Sequence, residues 1–138
     1  MTNVFVYGTL RKGHRNNDLL ESSEFIGMAV TKKKYGMYTS GIPYVTDELS
    51  DANIVGEAYL VDFETLARLD RLESHPTGYT RRLISIVLEN GKEIEAYLYF
   101  YDHVHSKRSV SFLKRVVNGD YCNPVFSSLR TDPLTILY

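Results

Sequence analysis

Two short stretches of this chain hold residue types that could do chemistry. The first is Tyr7-Gly8-Thr9-Leu10, which follows the apolar run Val4-Phe5-Val6 and leads into the polar segment Arg11-Lys12-Gly13-His14-Arg15-Asn16-Asn17. A backbone leaving a strand at a glycine can point several successive N–H groups into one small concavity, and such a nest binds carboxylate or phosphate. An anionic ligand is the expectation; an ordinary strand-to-turn junction is the plain alternative. The second stretch is Asp70-Arg71-Leu72-Glu73, at the end of a predicted helix. Glu73 stands where the helix dipole disfavours an anion, next to Leu72 and shortly before Pro76, so its proton affinity is expected to be raised. A carboxylate of that kind suits a general base, whereas the plain alternative is a solvated glutamate at a helix end.

Other reactive types fit known chemistries poorly. His103-Val104-His105 could present two imidazoles on one side of an extended segment, but no carboxylate or cysteine at metal spacing accompanies them, so they read as surface loop histidines. Cys122, beside Tyr121 and Asn123-Pro124, has no signature of a catalytic thiol and reads as a packed or idle side chain. The chain has no Gly-x-Ser-x-Gly elbow, Walker loop or Gly-x-Gly-x-x-Gly, which argues against serine hydrolysis, nucleotide hydrolysis and dinucleotide binding.

Composition narrows the class. A chain of 138 residues with an ordinary apolar fraction can form one compact domain with a core of its own, spanning residues 1–138. Sixteen basic residues against seventeen acidic ones give a net charge of -1, and the basic ones fall in short groups, so nucleic acid is an unexpected partner. One cysteine allows no internal disulfide, and neither a leader-like apolar segment nor a run of membrane-spanning length is present. A cytoplasmic protein without a membrane partner is the expectation.

The elements that must position the two stretches are mostly strands. Residues 25–31, 34–39, 43–46 and 54–61 are rich in β-branched residues and tyrosine and are punctuated by Gly27, Gly36, Gly41 and Gly56. A helix is predicted from Asp62, its N-cap, with Phe63, Leu66, Ala67, Leu69 and Leu72 on one apolar face and an end near residues 73–75. A second helix is predicted from Ser106 or Arg108 to Val117, with Gly119 as its stop. Asn90-Gly91 predicts a two-residue type I′ hairpin joining residues 79–101, pairing Leu83 with Leu98, Ser85 with Ala96 and Val87 with Ile94 on the core face. Many short strands, little helix and no βαβ rhythm predict an α+β fold: a small mixed-strand β-barrel with one or two flanking helices.

Taken together, Val4 to Gly13 with Asn16 shortly after, then Leu69-Asp70-Arg71-Leu72-Glu73, Pro76, Tyr79 and Arg81, resemble the two motifs of the γ-glutamyl cyclotransferase-like superfamily, in particular its γ-glutamylamine cyclotransferase and avirulence-induced branch. Gly119-Asp120-Tyr121 is similar to that family's C-terminal element. The resemblance implies that Tyr7, Gly8, Thr9 and Leu10 line the substrate site and that Glu73 is the acid/base. It implies an intramolecular reaction: the α-amine of a γ-glutamyl group attacks its own γ-carbonyl, giving 5-oxoproline and a free amine, with no metal, cofactor or covalent nucleophile. Tyr79 and Arg81 are either substrate ligands or ion-pair and packing residues, and Tyr99 or Arg81 is a candidate oxyanion donor beside the loop amides. The leaving amine and the oligomeric state stay open, and residues 39–51 and 119–138 are the expected walls of the leaving-group pocket. Two other readings compete: a binding module of the same fold without turnover, and a barrel stacking single-stranded nucleic acid on Tyr97, Tyr99 and Tyr101.

Overall fold

The computed structural model describes residues 1–75, 77–101 and 113–127. In chain order its elements are β1 (Thr2–Val6), a 3-10 turn (Asn17–Leu20), β2 (Glu24–Thr39), β3 (Pro43–Thr46), β4 (Ala52–Val61), α1 (Phe63–Leu72), β5 (Thr80–Leu88), β6 (Glu93–Phe100) and β7 (Lys114–Arg115). Strands β2, β4, β1, β6 and β5 pair in that order, and β5 returns to β2, closing a five-stranded barrel. β3 and β7 both extend from the C-terminal half of β2. The barrel is mixed because β1 runs parallel to β6 and antiparallel to β4. The expected small barrel is thus present, with a single α-helix among the described residues.

β1 is apolar on both faces because both are covered. Phe5 and Tyr7 point into the barrel core with Met37, Ile54, Ala58, Leu98 and Phe100, while Val4 and Val6 pack outside it against Leu66 and Leu69 of α1 and against Leu10 and Leu20. Where β1 ends, the chain therefore emerges between barrel and helix. The helix starts as predicted: the Asp62 carboxylate accepts the Thr65 N–H at 2.7 Å. Its buried face is narrower than expected, since Leu66 and Leu69 are covered while Phe63 is 86% exposed.

Two expectations are corrected. The hairpin is one residue out of the predicted register: Leu83 pairs with Tyr97, Ile84 with Ala96 and Ile86 with Ile94. The Gly91 N–H donates to the Leu88 carbonyl at 2.8 Å and the Leu88 N–H to Lys92 at 2.9 Å, so the connection has three residues, with Gly91 at φ 85°. This is a type I turn followed by a left-handed glycine rather than a type I′ turn, and the extra residue turns β5 over while β6 keeps the expected core face of Ile94, Ala96 and Leu98. Ile86, Ala96 and Leu98 fill the core and Leu83 is left 51% exposed. The second helix is also corrected. Lys114 and Arg115 pair with Thr39 and Tyr38 as strand, and Val116 bridges Phe126. The β-branched Val116-Val117 pair favours this extended edge, with Val116 buried in the barrel core. Residues 106–112 of the predicted helix, His103 and His105 lie outside the described residues.

Among the described residues, no helix is long and apolar enough to cross a membrane. Tyr99 and Tyr101 are buried, so neither offers a stacking surface to a nucleic acid base. Gly91→Ala places a Cβ at a left-handed backbone position and is expected to cost about 1 kcal/mol of stability. Denaturant midpoints at unchanged slope would measure it, and a neutral result would contradict the three-residue turn.

Candidate active site

The segment leaving β1 turns at once. The Arg11 N–H donates to the Gly8 carbonyl at 3.0 Å, making a tight turn over residues 8–11. Gly8 does not have the positive φ that would demand glycine. Its requirement is room: a Cβ there would stand 2.6 Å from Cγ of Pro43. Side chains hold the rest of the loop. Asn16 Nδ2 donates to Thr9 Oγ1 at 2.8 Å and Asn17 Nδ2 to the Leu10 carbonyl at 2.7 Å. Beneath the loop, the buried Glu57 carboxylate accepts the Lys12 N–H at 3.0 Å and the Tyr59 hydroxyl at 3.0 Å and faces Arg11 Nε at 3.5 Å. Arg11 also reaches Asp120 at 3.3 Å, tying the loop to the C-terminal segment. With the loop so braced, the N–H groups of Gly8, Thr9 and Leu10 donate to no other group among the described residues. They are unspent donors on a rigid turn.

Glu73 caps the C-terminus of α1. The Ser74 N–H donates to Arg71 at 3.2 Å and the His75 N–H to Asp70 at 2.9 Å, the two bonds of a Schellman ending. The left-handed position that usually falls to glycine is here Ser74, at φ 53°. A non-glycine residue in that region costs of order 1 kcal/mol, so the backbone beside Glu73 is held under strain. Reaching from this cap, the Glu73 carboxyl is largely withdrawn from water, and burial raises its pKa to about 7. No ion pair or hydrogen bond from the described residues lowers it.

Asp70, one turn earlier, shows the opposite balance. Burial pushes its carboxyl up, but the Arg81 Nε donor at 2.9 Å and the Tyr99 hydroxyl at 2.6 Å outweigh it and leave Asp70 below the ordinary carboxylate range. Two acids on one helix face thus have different protonation behaviour, one fixed as an anion and one poised near neutrality.

A cavity of about 170 Å3 is lined by Tyr7, Gly8, Thr9, Leu10, Glu73, Tyr79 and Tyr99. Seven of the eight predicted site residues therefore meet in one hollow. The exception is Arg81, which does not line it: its guanidinium is bound to Asp70 and lies 4.7 Å from the Tyr97 ring centroid. Arg81 is an ion-pair residue that acts on the site through Asp70 and Tyr99. The three tyrosine hydroxyls are also engaged. Tyr7 donates to the Tyr99 carbonyl at 2.6 Å and Tyr79 to the Pro43 carbonyl at 2.8 Å, while Tyr99 is held by Asp70. Burial raises the pKa of all three, and the charge of Glu73 adds to the rise in each, so the rings surround that carboxyl. Phe5, Val6, Arg15, Asn16, Ile42, Pro43 and Leu72 complete the walls. Sequence reasoning did not single out Asp70 or Arg15 as site residues, although the i, i+3 spacing of Asp70 from Glu73 puts both on one face of the helix.

A small closed barrel, one helix and a cavity that brings Glu73 together with the turn after β1 are what the fold offers as a site. Comparison with known proteins agrees. The family described as gamma-glutamyl cyclotransferase, AIG2-like, matches residues 4–123, and the chain belongs to it. A Methanocaldococcus jannaschii protein provisionally named gamma-glutamylcyclotransferase is 55% identical over 102 residues, covering 73% of this chain and 85% of its own. Gamma-glutamylaminecyclotransferase A of Danio rerio is 38% identical over 108 residues, covering 70% of this chain and 67% of its own. The crystal structure of an AIG2-like protein from Mus musculus superimposes with a TM-score of 0.67 at 27% identity, covering 72% of this chain and 76% of that one. Family and relatives indicate an enzyme of gamma-glutamylcyclotransferase type.

The buried carboxyl has a consequence for stability. Between the ordinary value of 4.5 and about 7, folded Glu73 retains a proton that the unfolded chain has released. Its favourable contribution is therefore complete below pH 4.5 and is lost as pH rises through 7. Glu73→Gln is expected to flatten this decline and to be the more stable protein at pH 8, by up to about 3 kcal/mol. Denaturation of both proteins across that pH range measures it; parallel curves would contradict the burial of the carboxyl.

Proposed function

We propose that this protein is a cyclotransferase that converts γ-glutamyl amines, or related γ-glutamyl compounds, to 5-oxoproline with release of the amine. The observation that carries this reading is that Glu73 and the turn residues Gly8, Thr9 and Leu10 line the same cavity. In this scheme the loop amides hold the substrate's α-carboxylate and bend the glutamyl chain, bringing its α-amine toward its own γ-carbonyl. Glu73, ionised, takes a proton from the α-ammonium. The freed amine attacks the γ-carbon, the five-membered ring closes and negative charge collects on the former carbonyl oxygen. When the tetrahedral centre collapses, the original amide C–N bond breaks, Glu73 returns its proton to the departing nitrogen, and the second proton of the attacking nitrogen follows by the same carboxylate, leaving the lactam N–H and releasing the amine as its ammonium. No water is consumed and one carboxyl serves both transfers.

Attacker and carbonyl belong to one molecule, so most of the translational entropy cost of bringing them together is already absent. The protein's tasks reduce to conformation, proton transfer and charge stabilisation. For the oxyanion, the side chains considered from sequence are committed elsewhere, because Tyr99 and Arg81 both donate to Asp70. Backbone N–H groups of the loop are the donors that fit the role. A base with a pKa near 7 can both accept and return a proton at neutral pH, which suits a shuttle better than an exposed glutamate would.

The reading is tested by 5-oxoproline release from a panel of γ-glutamyl amines. Glu73→Gln is expected to lower kcat at least about 100-fold while the fold is retained. In the wild type, kcat/KM is expected to rise with pH through a single ionisation near 7 and then level off, because only the ionised carboxylate accepts the proton. Equal activity of the two proteins would remove Glu73 from the mechanism. Affinity for 5-oxoproline with no turnover of any substrate would instead identify a binding module.

A further inference from the structure

Asp70 is an acid in the last turn of α1, where the helix dipole disfavours one, and it does not itself line the cavity beside Glu73. Departures of this kind from local preference gather at functional sites. Two donors make use of the charge. Asp70 Oδ1 accepts the Tyr99 hydroxyl at 2.6 Å and the Arg81 Nε–H at 2.9 Å, so one oxygen joins α1 to both β6 and β5. The first distance is that of a hydrogen bond to an ionised acceptor, which is the stronger kind. Arg81 and Tyr99 are also cross-strand partners in the barrel, so the three residues close a triangle between helix and sheet.

The backbone repeats the connection. The Asp70 carbonyl accepts the His75 N–H at 2.9 Å, His75 Nδ1 accepts the Arg81 N–H at 3.3 Å, and Arg81 returns to the Asp70 carboxylate. This ring of bonds encloses the chain segment that carries Glu73, whose own carbonyl accepts the Tyr79 N–H at 2.9 Å. An exposed ion pair contributes little to a fold. Here the Asp70 and Arg81 side chains are only 22% and 23% exposed, and the residue they hold, Tyr99, is a buried wall of the cavity that Glu73 also lines. The other titratable groups around Glu73 are Tyr7 from β1, Arg15 from the loop after it and Tyr79 before β5. Tyr7 and Tyr79 are held by backbone carbonyls, whereas Tyr99 is held by an acid.

Resting on the reading that Glu73 is the acid/base, we infer that Asp70 is a positioning residue of this site: it clamps the Tyr99 wall of the cavity to the end of the helix that carries Glu73. Asp70 touches no substrate. Its effect passes through Tyr99, which limits the water that reaches the Glu73 side chain. Because burial is what raises the proton affinity of Glu73, loosening that wall lowers it. The two acids of α1 thus divide the work, one staying ionised to hold the wall and the other exchanging a proton.

The ionisation of Glu73 can be followed without substrate by NMR of its carbon-13-labelled carboxyl, identified by the signal missing from Glu73→Gln. Wild type is expected to titrate near 7. Asp70→Ala is expected to bring the midpoint down by at least about one pH unit, and Asp70→Asn, whose amide oxygen still accepts both hydrogen bonds, to hold it within about half a unit of wild type. Partial unfolding weakens the folded signal without moving its midpoint. A midpoint unmoved in Asp70→Ala, or moved as far by Asn as by Ala, would overturn the clamp. In 5-oxoproline release, Asp70→Ala is expected to lower kcat about ten-fold while KM changes less than about three-fold. Adding Tyr99→Phe to Asp70→Ala is expected to lower kcat no further, because both substitutions break the same bond. Losses that multiply would give Tyr99 a task independent of Asp70 and overturn the clamp. Midpoints that move as expected in a protein that releases no 5-oxoproline from any γ-glutamyl amine would overturn the cyclotransferase reading and leave the clamp standing.

Discussion

A carboxyl group half-buried in a hollow without a compensating charge is the constraint on which the site depends. Burial of an acid without a partner is unfavourable, and proteins ordinarily avoid it or neutralise the group. Here the cost is borne at the end of a helix anchored through Leu66 and Leu69, which holds Glu73 against three tyrosine rings. The contrast with Asp70 shows that position on the helix alone does not set the behaviour. Asp70 has a guanidinium and a phenol as donors and stays low; Glu73 has neither and is pushed up to about 7. Hydrogen bonding, rather than the helix dipole that both groups share, separates them.

The other half of the site is made rigid by polar rather than apolar contacts. Asn16, Asn17 and the buried Glu57–Arg11–Asp120 chain fix residues 8–17 from below and from the side. Each of these bonds is modest, but a satisfied buried network specifies one geometry more sharply than packing alone. The loop's own N–H groups are thereby left open without the loop being loose. Preorganised donors of that sort lose little on meeting a ligand, since their orientation is already set.

Much of this was legible in the sequence, for identifiable reasons. The apolar run before Gly8, the Asp62 cap and the odd placement of Glu73 are local signals, and each led to the observed element or cavity. The hairpin register was misread because Asn90-Gly91 fits two turn types that differ by one residue, and only cross-barrel packing of Ile86, Ala96 and Leu98 decides between them. The predicted second helix had an acceptable apolar period at residues 110–117, yet Lys114 and Arg115 form an edge strand because β2 offers them an open edge far away in sequence. Arg81 was read as a substrate ligand or an ion-pair residue, and the structure assigns it the latter role at Asp70. Residues 39–51 and the segment after Gly119 were expected to wall the leaving-group side; Ile42 and Pro43 line the cavity beside Glu73, and no described residue after Gly119 does.

The parallel seam between β1 and β6 joins Val4 to Tyr97, residues from distant parts of the chain. Contacts of such long range carry the loop-closure entropy of everything between them and form late when a barrel assembles. Tyr99, on the far side of that seam, and Tyr7, at its near end, share one hydrogen bond and bound the same hollow. Without β6 the turn and the helix tip would lack the Tyr99 wall of the hollow between them. The hollow and the raised proton affinity of Glu73 thus belong to the closed barrel rather than to either local segment.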